Sequence, residues 1–165
     1  MNLKQLNILL ADDDTDDCIF FKEALAGFSL HTSLTSVHNG EQLMELLTKK
    51  TSTLPHVLFL DLNMPRKNGF ECLSEIKVNN ELNGLPVIIF STSMEQEVVN
   101  LLYKNGAQYY IRKPAEFSSF KKIIQQTLTL ITQALSAGKA ENIKQSTREN
   151  FVVTLQTNLA AEGIM

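Results

Sequence analysis

The sequence lacks the features that mark several special classes of protein. Its two cysteines, Cys18 and Cys72, are too few for a disulfide framework, and both lie in predicted helices where small apolar residues are ordinary. No apolar run approaches the roughly 20 residues that span a bilayer. The first ten residues have no small-residue cleavage site after their apolar run, so a signal peptide is not expected. These absences predict a cytoplasmic protein with no membrane association.

A strong charge of either sign is also absent. The 15 basic and 18 acidic residues give a formal net charge of −3, so the sequence offers no electrostatic reason to expect a nucleic-acid partner. The three histidines are scattered without the spacing of metal ligands, which argues against a zinc site. The hydrophobic content of 44% and the charged content of 20% are ordinary for a globular protein, and 165 residues fit one domain.

Short apolar runs alternate with helical patterns along the chain. Five runs predict strands, at residues 6–11, 34–37, 57–60, 87–90 and 109–111. Helices are predicted at about 15–26, after Asn39-Gly40, after Gly69, at 95–105, and from Phe117 through Ile131 along one apolar stripe. Asp14 is the expected N-cap of the first helix, and Gly27 is its expected end.

This alternation of five strands with five helices predicts the fold. Strands that are apolar throughout are typical of a parallel sheet covered by helices on both faces. Right-handed crossovers leave few topologies, and we predict the flavodoxin-like, doubly wound α/β arrangement with strand order 2-1-3-4-5. The predicted domain spans residues 1–136, and residues 137–165 form a C-terminal extension.

Polar residues follow the predicted strands at the edge where such sheets bind ligands. Asp12 and Asp13 follow the first strand, Asp61 the third, Ser91 the fourth and Lys113 the fifth. Three neighbouring carboxylates repel one another and so favour a cation, and Mg²⁺ typically takes one or two carboxylates plus waters. The remaining aspartate can act as a nucleophile toward a phosphoryl group, whose oxygens Lys113 and Ser91 would contact.

Four motifs in this order resemble the receiver domains of bacterial response regulators, the chemotaxis receiver among them. They are Ile-Leu-Leu-Ala-Asp-Asp at 8–13, Leu-Phe-Leu-Asp-Leu-Asn-Met-Pro at 58–65 with Gly69, Pro-Val-Ile-Ile-Phe-Ser at 86–91, and Tyr-Ile-Arg-Lys-Pro at 110–114. The resemblance covers about residues 5–135. It implies a stand-alone regulator of a two-component phosphorelay, phosphorylated by a sensor histidine kinase or a phosphotransfer protein and not otherwise an enzyme.

The same resemblance implies roles for individual residues around the proposed ion. Asp61 is expected to be the phosphoacceptor and a metal ligand, and Asp13 a direct ligand of Mg²⁺. Asp12 would reach the ion through a water molecule, and the Asn63 backbone carbonyl would be a further ligand.

Ser91 and Tyr110 are expected to form a switch. The Ser91 hydroxyl would donate a hydrogen bond to phosphorylated Asp61, and Tyr110 would rotate into the vacated space and bury its ring. The changed surface would lie within residues 95–131, where a downstream protein or a second protomer would bind. Pro114 is a candidate for a cis peptide bond beside Lys113.

Two other classes of function are compatible with parts of the sequence. A phosphohydrolase of the haloacid-dehalogenase type also uses an aspartate nucleophile with Mg²⁺, and Asp12-Asp13-Asp14-Thr15 offers its Asp-x-Asp pattern. The chain is short for that class, shows no cap domain and leaves Asp61 without a role. A flavin carrier could have the same fold, but the acidic loop after the first strand would repel the flavin phosphate.

The C-terminal extension contains a second apolar pattern. Ser146-Thr147-Arg148-Glu149 has the form of a capping box, and Phe151, Val152, Leu155 and Leu159 follow at helical spacing. Phe151, Val153 and Leu155 also alternate, as in a strand, so both structures stay open. Gly138 is the expected end of the fifth helix. Because an apolar stripe needs a surface to cover, we expect the extension to pack on this domain or on a second protomer.

Overall fold

Six parallel strands form the sheet at the centre of the protein, in a computed structural model that describes residues 4–50, 53–137 and 145–155. The strand order is β2-β1-β3-β4-β5-β6. The strands are β1 (Gln5–Ala11), β2 (His31–Val37), β3 (Val57–Leu60), β4 (Val87–Ser91), β5 (Tyr109–Arg112) and β6 (Val152–Val153). Across the described residues, no helix is long and apolar enough to cross a membrane.

Five helices connect the strands, and polar side chains mark where three of them begin. The helices are α1 (Thr15–Ala26), α2 (Gly40–Thr48), α3 (Gly69–Val78), α4 (Gln96–Lys104) and α5 (Phe117–Ser136). Asp14 caps α1, Asn39 caps α2, and Asn68 forms a capping box with Glu71 at α3. Each cap satisfies backbone N–H groups that a helix leaves without partners, so these boundaries follow directly from the sequence.

Two apolar cores lie on the two faces of the sheet. Helices α1 and α5 cover one face, where Phe21 packs edge-on against Phe59 with ring centroids 4.9 Å apart and Phe90 against Phe120 at 5.3 Å. Helices α2, α3 and α4 cover the other face. Burying one Phe or Leu side chain contributes roughly 1.5–3 kcal/mol, so the two cores hold the carboxyl ends of β1, β3 and β4 in fixed positions.

The fold class is confirmed, but the strand count of five was wrong. The sixth strand, β6, pairs in parallel with β5, with Tyr110 opposite Val152 and Ile111 opposite Val153. A strand of two residues is too short to show a period in the sequence. The strand β2 also begins at His31, before the predicted position, because this edge strand has alternating polar residues that no apolar run reveals.

Within residues 145–155, the C-terminal segment forms a 3₁₀ turn, Arg148–Asn150, followed by β6, and not an α-helix. The expected capping box does not form, since the Ser146 hydroxyl donates to the carbonyl of Gln108 and Thr147 makes no side-chain cap bond. Phe151 is fully buried between α4 and β5, where its ring lies 5.2 Å from that of Tyr103. Gly138 and Leu159 lie outside the described residues, and the C-cap of α5 is Ala137.

Candidate functional site

Three carboxylates converge at the carboxyl edge of the sheet. Ala11 of β1 lies opposite Leu60 of β3, so the aspartates that follow these strands become neighbours, and Asp61 N–H donates to the Ala11 carbonyl at 2.9 Å. One carboxylate oxygen from each of Asp12, Asp13 and Asp61 lies within 4.8 Å of the other two. Asp12 and Asp61 are buried, whereas Asp13 is exposed. The topology therefore makes a single acidic site from residues about fifty positions apart.

Burial and mutual repulsion disfavour the charged forms of the two inner aspartates. Burial is the largest cause that raises the pKa of Asp61, to about 7, and repulsion from Asp12 adds to it while Lys113 opposes it. Burial also raises the pKa of Asp12, against the stabilising effect of Lys113. The site is thus short of positive charge, and a bound cation would stabilise both carboxylates.

Among the described residues, the positive charge at this site comes from Lys113. Its Nζ lies 2.9 Å from Asp12 Oδ2, 2.8 Å from Asp17 Oδ2 and 3.8 Å from Asp61 Oδ1. Burial opposes its charge, but the hydrogen bonds and attraction of these carboxylates raise its pKa above the ordinary value of a lysine. Its backbone N–H donates to the Ser91 carbonyl at 2.8 Å. The next peptide bond, to Pro114, is trans, so the cis interpretation was wrong.

The donor set fits a hard divalent cation. All three carboxylates offer oxygen ligands, which Mg²⁺ and Mn²⁺ prefer. Asp12 Oδ1 accepts the N–H of Asp14 at 3.0 Å. The buried Oδ2 of Asp12 lies close to Lys113 but accepts no hydrogen bond. That oxygen keeps a lone pair for a water or an ion. Asn63 is exposed beside the site, and its backbone N–H approaches Asp61 Oδ1 at 3.5 Å.

The turn that carries Asp61 needs a glycine. A Cβ atom on Gly69 would lie 2.4 Å from the carbonyl oxygen of Asp61 and 2.9 Å from Cα of Leu62. Gly69 N–H donates to the Leu62 carbonyl at 3.0 Å, which closes the loop between β3 and α3. The first residue of α3 therefore fixes the backbone of Asp61, and any side chain there would push the two apart.

The two residues of the predicted switch are both buried. Ser91 Oγ accepts the N–H of Ser93 at 3.2 Å. The Tyr110 hydroxyl donates to the carbonyl of Ser93, and its ring lies 6.3 Å from that of Phe151. The Tyr110 ring is fully buried in this structure, and its movement on phosphorylation stays a prediction. In this position the ring packs against Phe151, in a segment whose packing the sequence left open.

Two contacts at the site were not predicted from the sequence. Asp17 was given no role, although its carboxylate is an ion-pair partner of Lys113. The scattered histidines argued only against a zinc site, and the Nδ1 atom of one of them, His38, lies 3.1 Å from the Asp12 carbonyl oxygen. Each contact joins positions distant in the chain, so no local spacing could have indicated it.

Comparisons with known proteins agree with this geometry. The family model described as "Response regulator receiver domain" matches residues 8–125. Response regulator Rcp1 of Synechocystis sp. is 30% identical over 122 residues, which span 72% of this chain and 83% of that protein.

Solved structures of response regulators superpose on this chain. The phosphorylated cyanobacterial phytochrome response regulator RcpA superposes with a TM-score of 0.71 at 28% identity, over 82% of this chain and 96% of that one. The Mn²⁺-bound form of Rcp1 gives 0.70 at 26% identity, over 86% and 99% of the two chains.

The haloacid-dehalogenase alternative has no support. Asp14, the second aspartate of its proposed Asp-x-Asp pattern, caps α1 by accepting the N–H groups of Asp16 and Asp17 at 2.9 and 3.2 Å. Its Oδ1 therefore serves as the N-cap of the helix. The family model covers more than half of the sequence, and the acidic cluster, the buried lysine and the six-stranded parallel sheet agree with it. The chain belongs to the response regulator receiver domain family, as a phosphoacceptor of two-component signalling.

Proposed function

We propose that Asp61 is the acceptor, that Mg²⁺ is the ion, and that a histidine kinase or phosphotransfer protein in the cytoplasm is the donor. The observation that supports this most is the position of the Asp61 carboxylate, which lies against both the acidic pair and the Lys113 ammonium. Asp12 is fully buried, with Oδ1 bonded to Asp14 N–H and Oδ2 beside Lys113. Among the described residues, the Asp61 carboxylate accepts one hydrogen bond, a long one from Asn63 N–H to Oδ1. Its other oxygen is therefore free.

The reaction is a transfer from nitrogen to oxygen. An Asp61 oxygen attacks the phosphorus of a phosphohistidine, the O–P bond forms and the N–P bond breaks. The leaving imidazole keeps the electron pair of that bond and takes a proton from water. Lys113 and Ser91 donate to the phosphoryl oxygens. When bound at Asp12, Asp13 and Asp61, the divalent ion neutralises charge on those oxygens.

A partner surface lies beside this site. Ile19, Phe20 and Phe117 are large apolar side chains with substantial exposure, and the Phe20 and Phe117 rings are 5.5 Å apart. The helices that carry them begin directly after the acidic pair and after Lys113-Pro114. Because exposed apolar groups of this kind mark interaction sites, we propose that the phosphodonor protein contacts them.

The test is direct phosphorylation. Incubation with acetyl phosphate and Mg²⁺ should add one phosphoryl group to the intact mass of the wild type. Asp61→Asn should abolish the addition, whereas Asp16→Asn, which removes the same charge from an exposed position of α1, should not. Labelling of the same peptide in Asp61→Asn would refute the assignment of the acceptor.

A further inference from the structure

The ammonium of Lys113 is held by a carboxylate outside the acidic cluster. Asp17 Oδ2 lies 2.8 Å from Lys113 Nζ, closer than either oxygen of the cluster. The side chain of Lys113 is 7% exposed and that of Asp17 is 19% exposed, so water screens this pair less than an ordinary surface ion pair. Asp17 therefore contributes to the electrostatics of the site although it lies in α1.

The alternative is that Asp17 only stabilises its own helix, α1. An acidic residue in the first turn interacts favourably with the helix dipole, and Asp16 and Asp17 both occupy that turn. Asp16 is exposed and has no ion pair within the described parts of the chain, so it serves the helix alone. Asp17 points instead to a lysine on another element, at the end of β5. The helix dipole does not require that contact.

The distances indicate what the contact does for Lys113. A lysine side chain has four flexible carbons, and its rotamer entropy is about 2 kcal/mol. Asp12 and Asp17 hold Nζ from two sides at 2.9 and 2.8 Å. The ammonium has three N–H groups, so while ion-paired with these two carboxylates it can still donate to a third acceptor. Asp61 Oδ1, at 3.8 Å, is beyond the usual hydrogen-bond distance, and a phosphoryl oxygen attached to Asp61 would extend toward the ammonium.

We propose that Asp17 is a positioning residue for phosphorylation, which together with Asp12 holds the Lys113 ammonium where it meets the incoming phosphoryl group. The proposal rests on Asp61 as the acceptor. Asp17 touches neither the phosphoryl group nor the ion, and it acts through Lys113. Without it, Lys113 keeps one anchor, samples more rotamers and stabilises the transferring group for less of the time.

The test is a double-mutant cycle on the rate of phosphorylation. Intact mass is followed with acetyl phosphate and saturating Mg²⁺ for the wild type, Asp17→Asn, Lys113→Gln and the double variant. We expect Asp17→Asn to be about tenfold slower, a change of about 1.4 kcal/mol, since the Lys113 ammonium loses one of its two close carboxylate partners. In the Lys113→Gln background the same substitution should have no further effect. Asp17→Asn should also weaken beryllofluoride binding.

The control is Asp16→Asn, which makes the same charge change in the same helical turn and should alter the rate by less than about twofold. An equal slowing by Asp17→Asn in both lysine backgrounds would show a structural effect and overturn the proposal. A variant as fast as the wild type, or faster, would do the same, because Asp17 would then be neutral or a competitor for the ammonium. If the wild type itself takes no phosphoryl group, the assignment of Asp61 fails first.

Discussion

Replacing Asp61, the proposed acceptor, should stabilise the metal-free protein at alkaline pH. Burial raises the pKa of Asp61 to about 7, above the ordinary value of 3.8 that it has in an unfolded chain. A carboxyl group with a raised folded-state pKa stabilises the fold fully only below its unfolded pKa, and this stabilisation is lost as pH rises through about 7. Above pH 7 the native state therefore contains a buried charge that it does not accommodate well.

The size of this destabilisation follows from the two pKa values of Asp61. The difference between 3.8 and about 7 corresponds to at most about 4 kcal/mol. A domain of this size gains about 2–4 °C in Tm per kcal/mol, so even a quarter of that free energy is measurable. Asp61→Asn keeps the shape of the side chain and removes the charge. It should raise Tm at pH 8 in EDTA and change it little at pH 4.

Thermal denaturation of the two proteins at both pH values is the assay. Adding Mg²⁺ at pH 8 should raise the Tm of the wild type more than that of Asp61→Asn, because only the wild type offers all three carboxylates to the ion. A lower Tm of Asp61→Asn at pH 8, or the same difference at pH 4 and pH 8, would refute this electrostatic reasoning.

Further predictions concern the ion, the switch, the partner and the C-terminal segment. Asp13→Ala should weaken Mg²⁺ binding strongly in a titration and Asp12→Ala less, and undiminished affinity in both would contradict the proposed site. Ser91→Ala should reduce the changes in amide exchange that beryllofluoride causes across residues 95–113, and an unchanged response would exclude Ser91 as the coupling residue. Phe20→Ser should slow phosphotransfer from the kinase while leaving the acetyl phosphate reaction intact, and equal slowing of both would indicate a damaged fold. Phe151→Ala should lower stability by about 3–5 kcal/mol in chemical denaturation, as for other buried phenylalanines.

The sequence predicts the centre of this fold better than its periphery. Strand β3 is apolar throughout and β4 is apolar up to Ser91, so their burial on both faces and their parallel pairing followed from the sequence pattern. The convergence of Asp12 and Asp61 followed from that topology. Asp17 differs, because its partner Lys113 follows β5, far from α1 in the chain. No pattern within α1 distinguishes Asp17 from Asp16.

The packing partner of Tyr110 was unpredictable for a related reason. Its neighbour Phe151 lies in a segment where helical and alternating patterns overlap, and only pairing with β5 selects between them. The decisive interactions are the backbone hydrogen bond from Tyr110 N–H to the Phe151 carbonyl at 2.9 Å and the burial of the Phe151 ring. Both are tertiary, and the sequence shows neither.

The position of β6 also affects self-association. In a five-stranded sheet β5 would be an edge, with a row of unpaired backbone groups on which strands of other molecules can add and start aggregates. Here Val152–Val153 occupies that row, and a strand of only two residues offers little template of its own. Gln126 holds the end of the segment by donating to the Thr154 carbonyl at 2.8 Å. The last described residues thus cover the edge of β5, and a chain shortened before residue 145 should precipitate more readily when concentrated.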